Sequence, residues 1–338
     1  MMKKLSICLL CLVAMYAQGQ DLQQAKILQQ KYIDDEAVFL QSNLSIVLHK
    51  DNSTGARVVI SRTEELLSLR YNQDILRSEV FDSNSQLDKF YATSSLGQKA
   101  PESAKVCGTY TSEGLFYDDS KFCSHKLKLK EIGERWKTNS TKRINDAKYL
   151  TSLYFQDKFP IVEKTIGISI PKEIEAEVLE FNFADFHITK VERNDGANRI
   201  IEYTAKDLPG MKSEAMERGI QYNHPHLLVL VKSSEVNGKT INILSSPQDL
   251  YAWYSSLTEK LNPNPTIYQD MVDQLIAGKK TDQEKIEAIY YWIQDNIRYI
   301  AFEDGLAAFK PDEAQSVFEK RYGDCKGMAN LAKEMLKR

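Results

Sequence analysis

Nine residues near the end of the chain, Arg321-Tyr322-Gly323-Asp324-Cys325-Lys326-Gly327-Met328-Ala329, have the types and spacing that nucleophilic sulfur chemistry requires. Asp324 is a good helix N-cap, which puts Cys325 at the first helical position, and Gly323 suits the left-handed residue that ends a preceding helix. Peptide dipoles at that end of a helix favour a thiolate. Met328, Leu331, Ala332 and Met335 then recur at helical spacing, an apolar face that would anchor the helix and fix the direction of the sulfur. A thiol aimed in this way suits acyl transfer. The same pattern also fits a plainer role, a small buried hydrophobe at a helix start, and spacing alone does not separate the two.

The elements that must position Cys325 can be read backwards from it. Pro311 leads a short helix, Asp312 to Lys320, reached through a loop at Phe302-Glu303-Asp304-Gly305. Before the loop, Thr281-Asp282-Gln283-Glu284 has capping-box form, and Ile286, Ile289, Tyr290, Ile293 and Ile297 share one face of a helix spanning about 282–299. Tyr291, Trp292 and Tyr299 read most simply as core packing, with a substrate-binding wall as the alternative. Earlier still, Ser246 and Pro247 open a short helix that Pro263 and Pro265 would end. Ile267, Met271, Val272, Leu275 and Ile276 mark another helix, closed by Gly278.

From about Asp34 to Ser246 the pattern is β-rich, with β-branched and aromatic runs at Ala56 to Ser61, Lys164 to Ile170, Glu177 to Ile188, Arg199 to Thr204, His226 to Lys232 and Thr240 to Leu244. Turn residues at Lys50 to Gly55, Asn194-Asp195-Gly196 and Asn237-Gly238 separate several of these runs as hairpin connections should. An antiparallel sandwich or twisted sheet follows. Within Glu177 to Ile188 the apolar parity switches between Phe183 and Phe186, which predicts a strand bulged near Ala184-Asp185. Between Ser61 and Ser95, Leu67, Leu69 and Tyr71 alternate as in a strand, whereas Asp82 to Tyr91 also fits a short helix.

Arg-Tyr-Gly-Asp-Cys-Lys, preceded by the Pro-x-Glu of 311–313 and the Trp-x-x-x-x-Ile-x-Tyr of 292–299, resembles the transglutaminase-like (papain-like thiol) superfamily over roughly Thr281 to Arg338. Asp34-Asp35-Glu36-Ala37-Val38, the β-rich region, and Pro247-Gln248-Asp249-Leu250-Tyr251-Ala252-Trp253-Tyr254 resemble, more diffusely, the DUF3857 domain of secreted bacterial proteins that often precedes such a core. The resemblance implies an α+β protein: a β-rich, antiparallel, sandwich-like N-terminal domain followed by the helical first part of a transglutaminase-like domain. It divides the chain into a leader at 1–19, the β-rich domain at 20–246, a helical connector at 247–280 and the incomplete core at 281–338. Cys325 is the position matching the family nucleophile, acting on a protein or peptide substrate with no cofactor. Family members place a His and then an Asp tens of residues after the cysteine, and neither residue type follows Cys325. All five histidines, His49, His125, His187, His224 and His226, precede it. With no Gly or Pro stop signal after Leu331, the expectation is a fragment of a longer protein, inactive alone. The alternative is an exported, non-catalytic binding or assembly module.

Lys3 and Lys4, the apolar run Leu5 to Met15 and Ala17-Gln18-Gly19 have the layout of a secretory signal peptide, and the run is too short to span a membrane. No lipid-attachment pattern precedes Cys8 or Cys11. The expected location is periplasmic or extracellular. A formal net charge of -3 without a basic tract argues against a nucleic-acid partner. Export leaves Cys107, Cys123 and Cys325, an odd number in an oxidising compartment. Cys107 and Cys123 either pair, which would stabilise by roughly 3 kcal/mol on the loop-entropy model, or remain buried thiols. Cys123-Ser124-His125 alone does not make a metal site, and none is expected.

Overall fold

The structure, a computed structural model, describes residues 21–110, 117–212, 216–261, 266–303 and 305–338. The expected leader and the helix-ending prolines Pro263 and Pro265 lie outside the described residues. Packing divides the protein into two units, one running to Gly108 and resuming over Phe122–Ser245, the other formed by Thr109–Lys121 and Ser246–Arg338.

A helix at residues 21–31 (α1) opens the described chain. The strands that follow are β1 (Ala37–Asp51), β2 (Gly55–Ser68), β3 (Gln73–Phe81), β4 (Ser85–Ser94), β5 (Lys105–Thr109), β6 (Tyr117–Asp118), β7 (Lys121–Leu129) and β8 (Arg135–Ile144). Then come β9 (Leu153–Tyr154), β10 (Ile161–Pro171), β11 (Ile174–Phe181), β12 (Ile188–Asp195), β13 (Asn198–Leu208), the single turn α2 (Ile220–Asn223), β14 (His226–Val236) and β15 (Lys239–Asn242).

Seven strands form the main sheet of the first unit in the order β12-β13-β10-β1-β2-β8-β4. It is antiparallel except where β1 runs parallel to β10. Two smaller sheets, β11-β14-β15 with β9 on β14, and β3-β7-β5, complete the unit. The period-2 rule sets the faces: along β1, Leu44, Ile46 and Leu48 point inward while Asn43 and Ser45 point to solvent. At the start of β1 both faces are covered, because Val38 and Leu40 pack with Ala25 and Tyr32 of the α1 region and with Leu67 and Leu69. The β1–β2 turn is set by Asp51, whose carboxylate accepts from the Ser53 and Thr54 backbone N–H groups and hydroxyls and is thereby held at a pKa of about 2. Cys107 and Cys123 form a disulfide between the neighbouring strands β5 and β7, with Cα atoms 4.1 Å apart.

One sequence expectation is corrected here and one open alternative is decided. Glu177 to Ile188 is not one bulged strand. It divides at Asn182, which adopts φ 58° while its amide donates to the Gln221 and His224 carbonyls. β11 then pairs with β14 and β12 with β13, so the parity switch records a change of sheet. Asp82 to Tyr91 is not helical. The Asp82 carboxylate accepts from the Asn84 N–H and the Ser85 hydroxyl, closing the turn into β4.

The second unit is helical: α3 (Pro247–Thr258), α4 (Gln269–Ile276), α5 (Asp282–Asn296), α6 (Ala314–Lys320) and α7 (Cys325–Leu336), with the short strands β16 (Arg298–Tyr299), β17 (Phe302–Glu303) and β18 (Tyr322–Gly323). Ser246 with Asp249 and Thr281 with Glu284 make full capping boxes for α3 and α5. α5 stops at Asn296, three residues short of expectation, because Arg298 and Tyr299 leave the helix to pair with Tyr322 and Gly323. Its buried stripe is Ile289, Ile293 and the cap Ile297, whereas Ile286 and Tyr290 are exposed. Of the aromatic set only Trp292 packs inward, against Phe318, and Tyr291 and Tyr299 face solvent. No helix among the described residues is long and apolar enough to cross a membrane.

Candidate active site

Cys325 is placed by the turn between α6 and α7. Arg321 ends α6 in the left-handed conformation, φ 60° and ψ 26°, with its N–H donating to the Val317 carbonyl at 3.0 Å. The sequence assigns that role to Gly323, and the structure corrects it. The cost of a non-glycine residue there is offset by the Arg321 guanidinium, which lies 4.9 Å from the ring centre of Trp292 and 4.6 Å from that of Phe318. Gly323 has a different role, close packing: a Cβ would come within 3.1 Å of a Val317 methyl, which would have to give way. Hydrogen bonds from Arg298 N to Arg321 O (2.8 Å) and from Ile300 N to Gly323 O (3.0 Å) then fix the approach to the helix.

Asp324 is the N-cap, extended at φ -81°, and its carboxylate accepts from the Gly327 N–H at 2.7 Å. Its other oxygen meets Lys326 Nζ at 2.5 Å, so the cap carboxylate is held from two sides. Cys325 is the first residue of α7, as expected. Behind it, Leu331 and Met335 are fully buried with Val317, Ile289, Ile293 and Tyr268, while Met328 and Ala332 are partly buried. Asn330 donates to the Asp312 carbonyl at 2.9 Å, tying α7 to the segment before α6.

The outcome for the sulfur is exposure. Cys325 is a free, exposed cysteine, so the buried-hydrophobe role does not apply. It lines an open groove of about 480 Å³ together with Tyr254, Thr258 and Leu261 from α3 and its end, Pro311, and Ala329 and Lys333 from the next turns of α7. The α3 wall was not visible in the sequence. Its residues belong to an exposed aromatic helix that nothing in the spacing connects to a cysteine some 70 positions later. Chemically the arrangement offers an accessible thiol at a helix N-terminus and a partly apolar trough in which an acyl chain can lie.

No histidine belongs to this unit. In the first unit His125 is buried against Phe90, and His226 stacks between Phe181 and Tyr154 while its Nδ1 lies 2.9 Å from the His224 carbonyl. His224 Nδ1 bonds Gln156 Oε1 at 2.7 Å. His224-Pro225-His226 is therefore a satisfied structural corner. Among the described residues, no group of three His, Cys, Asp or Glu side chains is arranged to hold a metal ion.

Comparison with known proteins adds to this picture. No curated protein matches the sequence. Among solved structures, a protease candidate from Parabacteroides distasonis aligns with a TM-score of 0.62 at 16% identity, over 89% of this chain and 58% of that one. The fold is thus shared, and the chain spans little more than half the length of that protein. A nutrient-binding protein candidate from Legionella pneumophila (TM-score 0.32, 11% identity, 78% of this chain and 82% of that one) and an M1 zinc metallopeptidase from Deinococcus radiodurans (0.30, 11%, 58% and 42%) align too loosely to inform the reading. Residues 269–338, which hold Cys325 and all but one of the helices that position it, match the model of the transglutaminase-like superfamily.

Proposed function

We propose that this chain carries the nucleophile-bearing part of an exported thiol acyl-transfer enzyme, with Cys325 as the attacking group. The observation that carries the reading is the exposed sulfur at the first residue of α7, on a helix anchored by a buried face and opening onto a groove. The Cys325 sulfur attacks a peptide or carboxamide carbonyl. A carbon–sulfur bond forms, the carbon–nitrogen bond breaks, and the amine departs with a proton. Water or a second amine then takes the acyl group from the thioester. Backbone N–H groups of the first turn of α7 would hold the oxyanion. A base must accept the thiol proton, and since residues 227–338 contain no histidine, that base comes from outside the second unit. The β-rich unit, DUF3857-like in sequence, serves recognition or positioning, and its disulfide suits an oxidising compartment. The absence of a histidine from the second unit is also what favours the second reading, an exported binding or assembly module using the same fold as a scaffold.

Iodoacetamide labelling followed by peptide mapping separates the two. Cys325 should alkylate at pH 6.5 at least about tenfold faster in the folded chain than in the urea-unfolded chain. Equal or slower reaction in the folded state would remove the nucleophile and leave the binding module. None of the five histidines of residues 1–338 matches the family base, so this chain alone should turn over no peptide amide. Turnover that disappears in Cys325→Ala would show that residues 1–338 supply the base themselves.

A further inference from the structure

The inward face of the seven-stranded sheet is apolar except at one place. There the register sets Lys164 of β10, Ser42 of β1, Glu64 of β2 and Thr138 of β8 side by side in one cross-strand row. Arg62, one inward position further along β2, Glu79 and Arg77 of β3, Lys142 of β8 and Asp157 after β9 gather around them.

The carboxylates in this cluster are accounted for. Arg77 forks onto Glu64, with contacts of 2.7 to 3.1 Å, and onto Asp157 at 3.0 Å. Glu79 accepts from the Ser140 hydroxyl at 2.7 Å and lies 3.4 Å from Arg62. The two lysines differ. Lys164, only 6% exposed, donates to the Ser42 hydroxyl at 2.9 Å and has no carboxylate within ion-pairing distance among the described residues. Lys142 donates to the Val80 carbonyl at 3.1 Å and, among the described residues, likewise has none, with Glu79 and Asp82 acting on it at longer range. Arg62 and Arg77 take up Glu64, Glu79 and Asp157, so the two lysines lack a close anionic partner among the described residues, a costly state for the buried Lys164.

Beside the lysines lies a partly enclosed cavity of about 180 Å³, with Arg62, Lys142 and Lys164 on its wall together with the paired carboxylates Glu64, Glu79 and Asp157. We propose that this cavity is a binding site for a small carboxylate of about the size of acetate, with Lys164 and Lys142 as its donors. A monoanion gives the two ammonium groups one charged acceptor, whereas a dianion would place a second negative charge beside Glu64, Glu79 and Asp157. The volume equals that of roughly six waters, enough for a small acid and too little for a folded-back peptide chain. The two ammonium groups, each with one neutral acceptor in the fold, gain a charged one. Burial, with Arg62 and Arg77 adding repulsion against the pull of Glu64 and Asp157, lowers the Lys164 ammonium to about 8. Binding should therefore weaken as pH rises through that value.

Thermal unfolding of the folded chain against acetate, with ionic strength held by chloride, tests the site. The expected result is a saturable rise in melting temperature of several degrees at pH 7 for the wild type and none for Lys164→Met. A non-saturating rise, or the same rise in both proteins, overturns the proposal. A larger saturable rise with inorganic phosphate than with acetate overturns the carboxylate assignment. Should Lys164→Met fail to fold, Lys142→Met must weaken the acetate response at least about fivefold. Independently, saturation-transfer NMR must show the acetate methyl signal on wild type at pH 7 and its loss at pH 10, and no signal at pH 7 refutes the site.

Discussion

Replacing Arg77 with Met should destabilise the protein by about 3–5 kcal/mol, measured by urea unfolding at pH 7, even though Met roughly matches the length of the arginine stem. The side chain is the common partner of Glu64 and Asp157, bonding both in fork geometry, and its guanidinium lies 4.7 Å from the ring centre of Phe39. Burial alone would raise both carboxyls. The charges of Arg77 and Arg62 outweigh it and hold each below its ordinary value. Removing the fork leaves two carboxylates in the interior with their desolvation cost uncancelled. Arg77→Lys should recover less than half of the loss, because a single ammonium cannot address two carboxylates in a plane. The pH dependence gives a second readout. Carboxyls lowered by folding contribute stability that is present above their unfolded pKa values, 4.5 for Glu64 and 3.8 for Asp157, and lost as pH falls through the folded ones. Wild type should weaken steeply on acidification, and Arg77→Met should lose that slope. A loss under 1 kcal/mol with the acid slope retained would show that the cluster is not what joins β2, β3 and the segment after β9.

Much of this architecture was legible from local pattern. Asp324 and Cys325 fall where capping chemistry puts them because an N-cap is decided within four residues. The same holds for Ser246 and Thr281. What escaped was decided by partners distant in sequence. Ile286 and Tyr290 share the spacing of Ile289 and Ile293, but only the latter pair meets the cores of α4 and α7. The parity switch after Phe183 marks a discontinuity but does not distinguish a bulge from a change of sheet, since periodicity reports a change of facing and not which sheet the next strand joins. At the α6 end, glycine was expected at the left-handed position, yet Arg321 takes it because two aromatic rings hold its guanidinium, a contact invisible before Trp292 and Phe318 are brought together. The buried cluster did leave a trace. Lys164 shares the parity of Ile166, Ile168 and Ile170, and Arg62 and Glu64 that of Ile60 and Leu66. Charges on the apolar side of a strand are the signal that a polar site interrupts a core.

That interruption should carry a measurable cost at Lys164. In the folded protein its pKa falls from 10.5 to about 8, so burial disfavours the ammonium relative to the neutral amine by on the order of 3 kcal/mol. Lys164→Met should therefore be more stable than wild type by about that amount at pH 7 in acetate-free buffer, by urea unfolding. Below pH 8 the cost is present in full. Between about 8 and 10.5 the folded state binds fewer protons than the unfolded chain, so wild-type stability should rise with pH and the advantage of the variant should shrink toward zero near pH 10.5. Acetate should narrow the gap at pH 7 by stabilising wild type alone. A variant less stable than wild type at pH 7 would show that Lys164 forms a net favourable interaction inside the fold and leave nothing for a ligand to compensate. A more stable variant whose advantage fades with pH would mean that the chain keeps a charge on the apolar face of its main sheet at the expense of stability, as a site held ready for an anion requires.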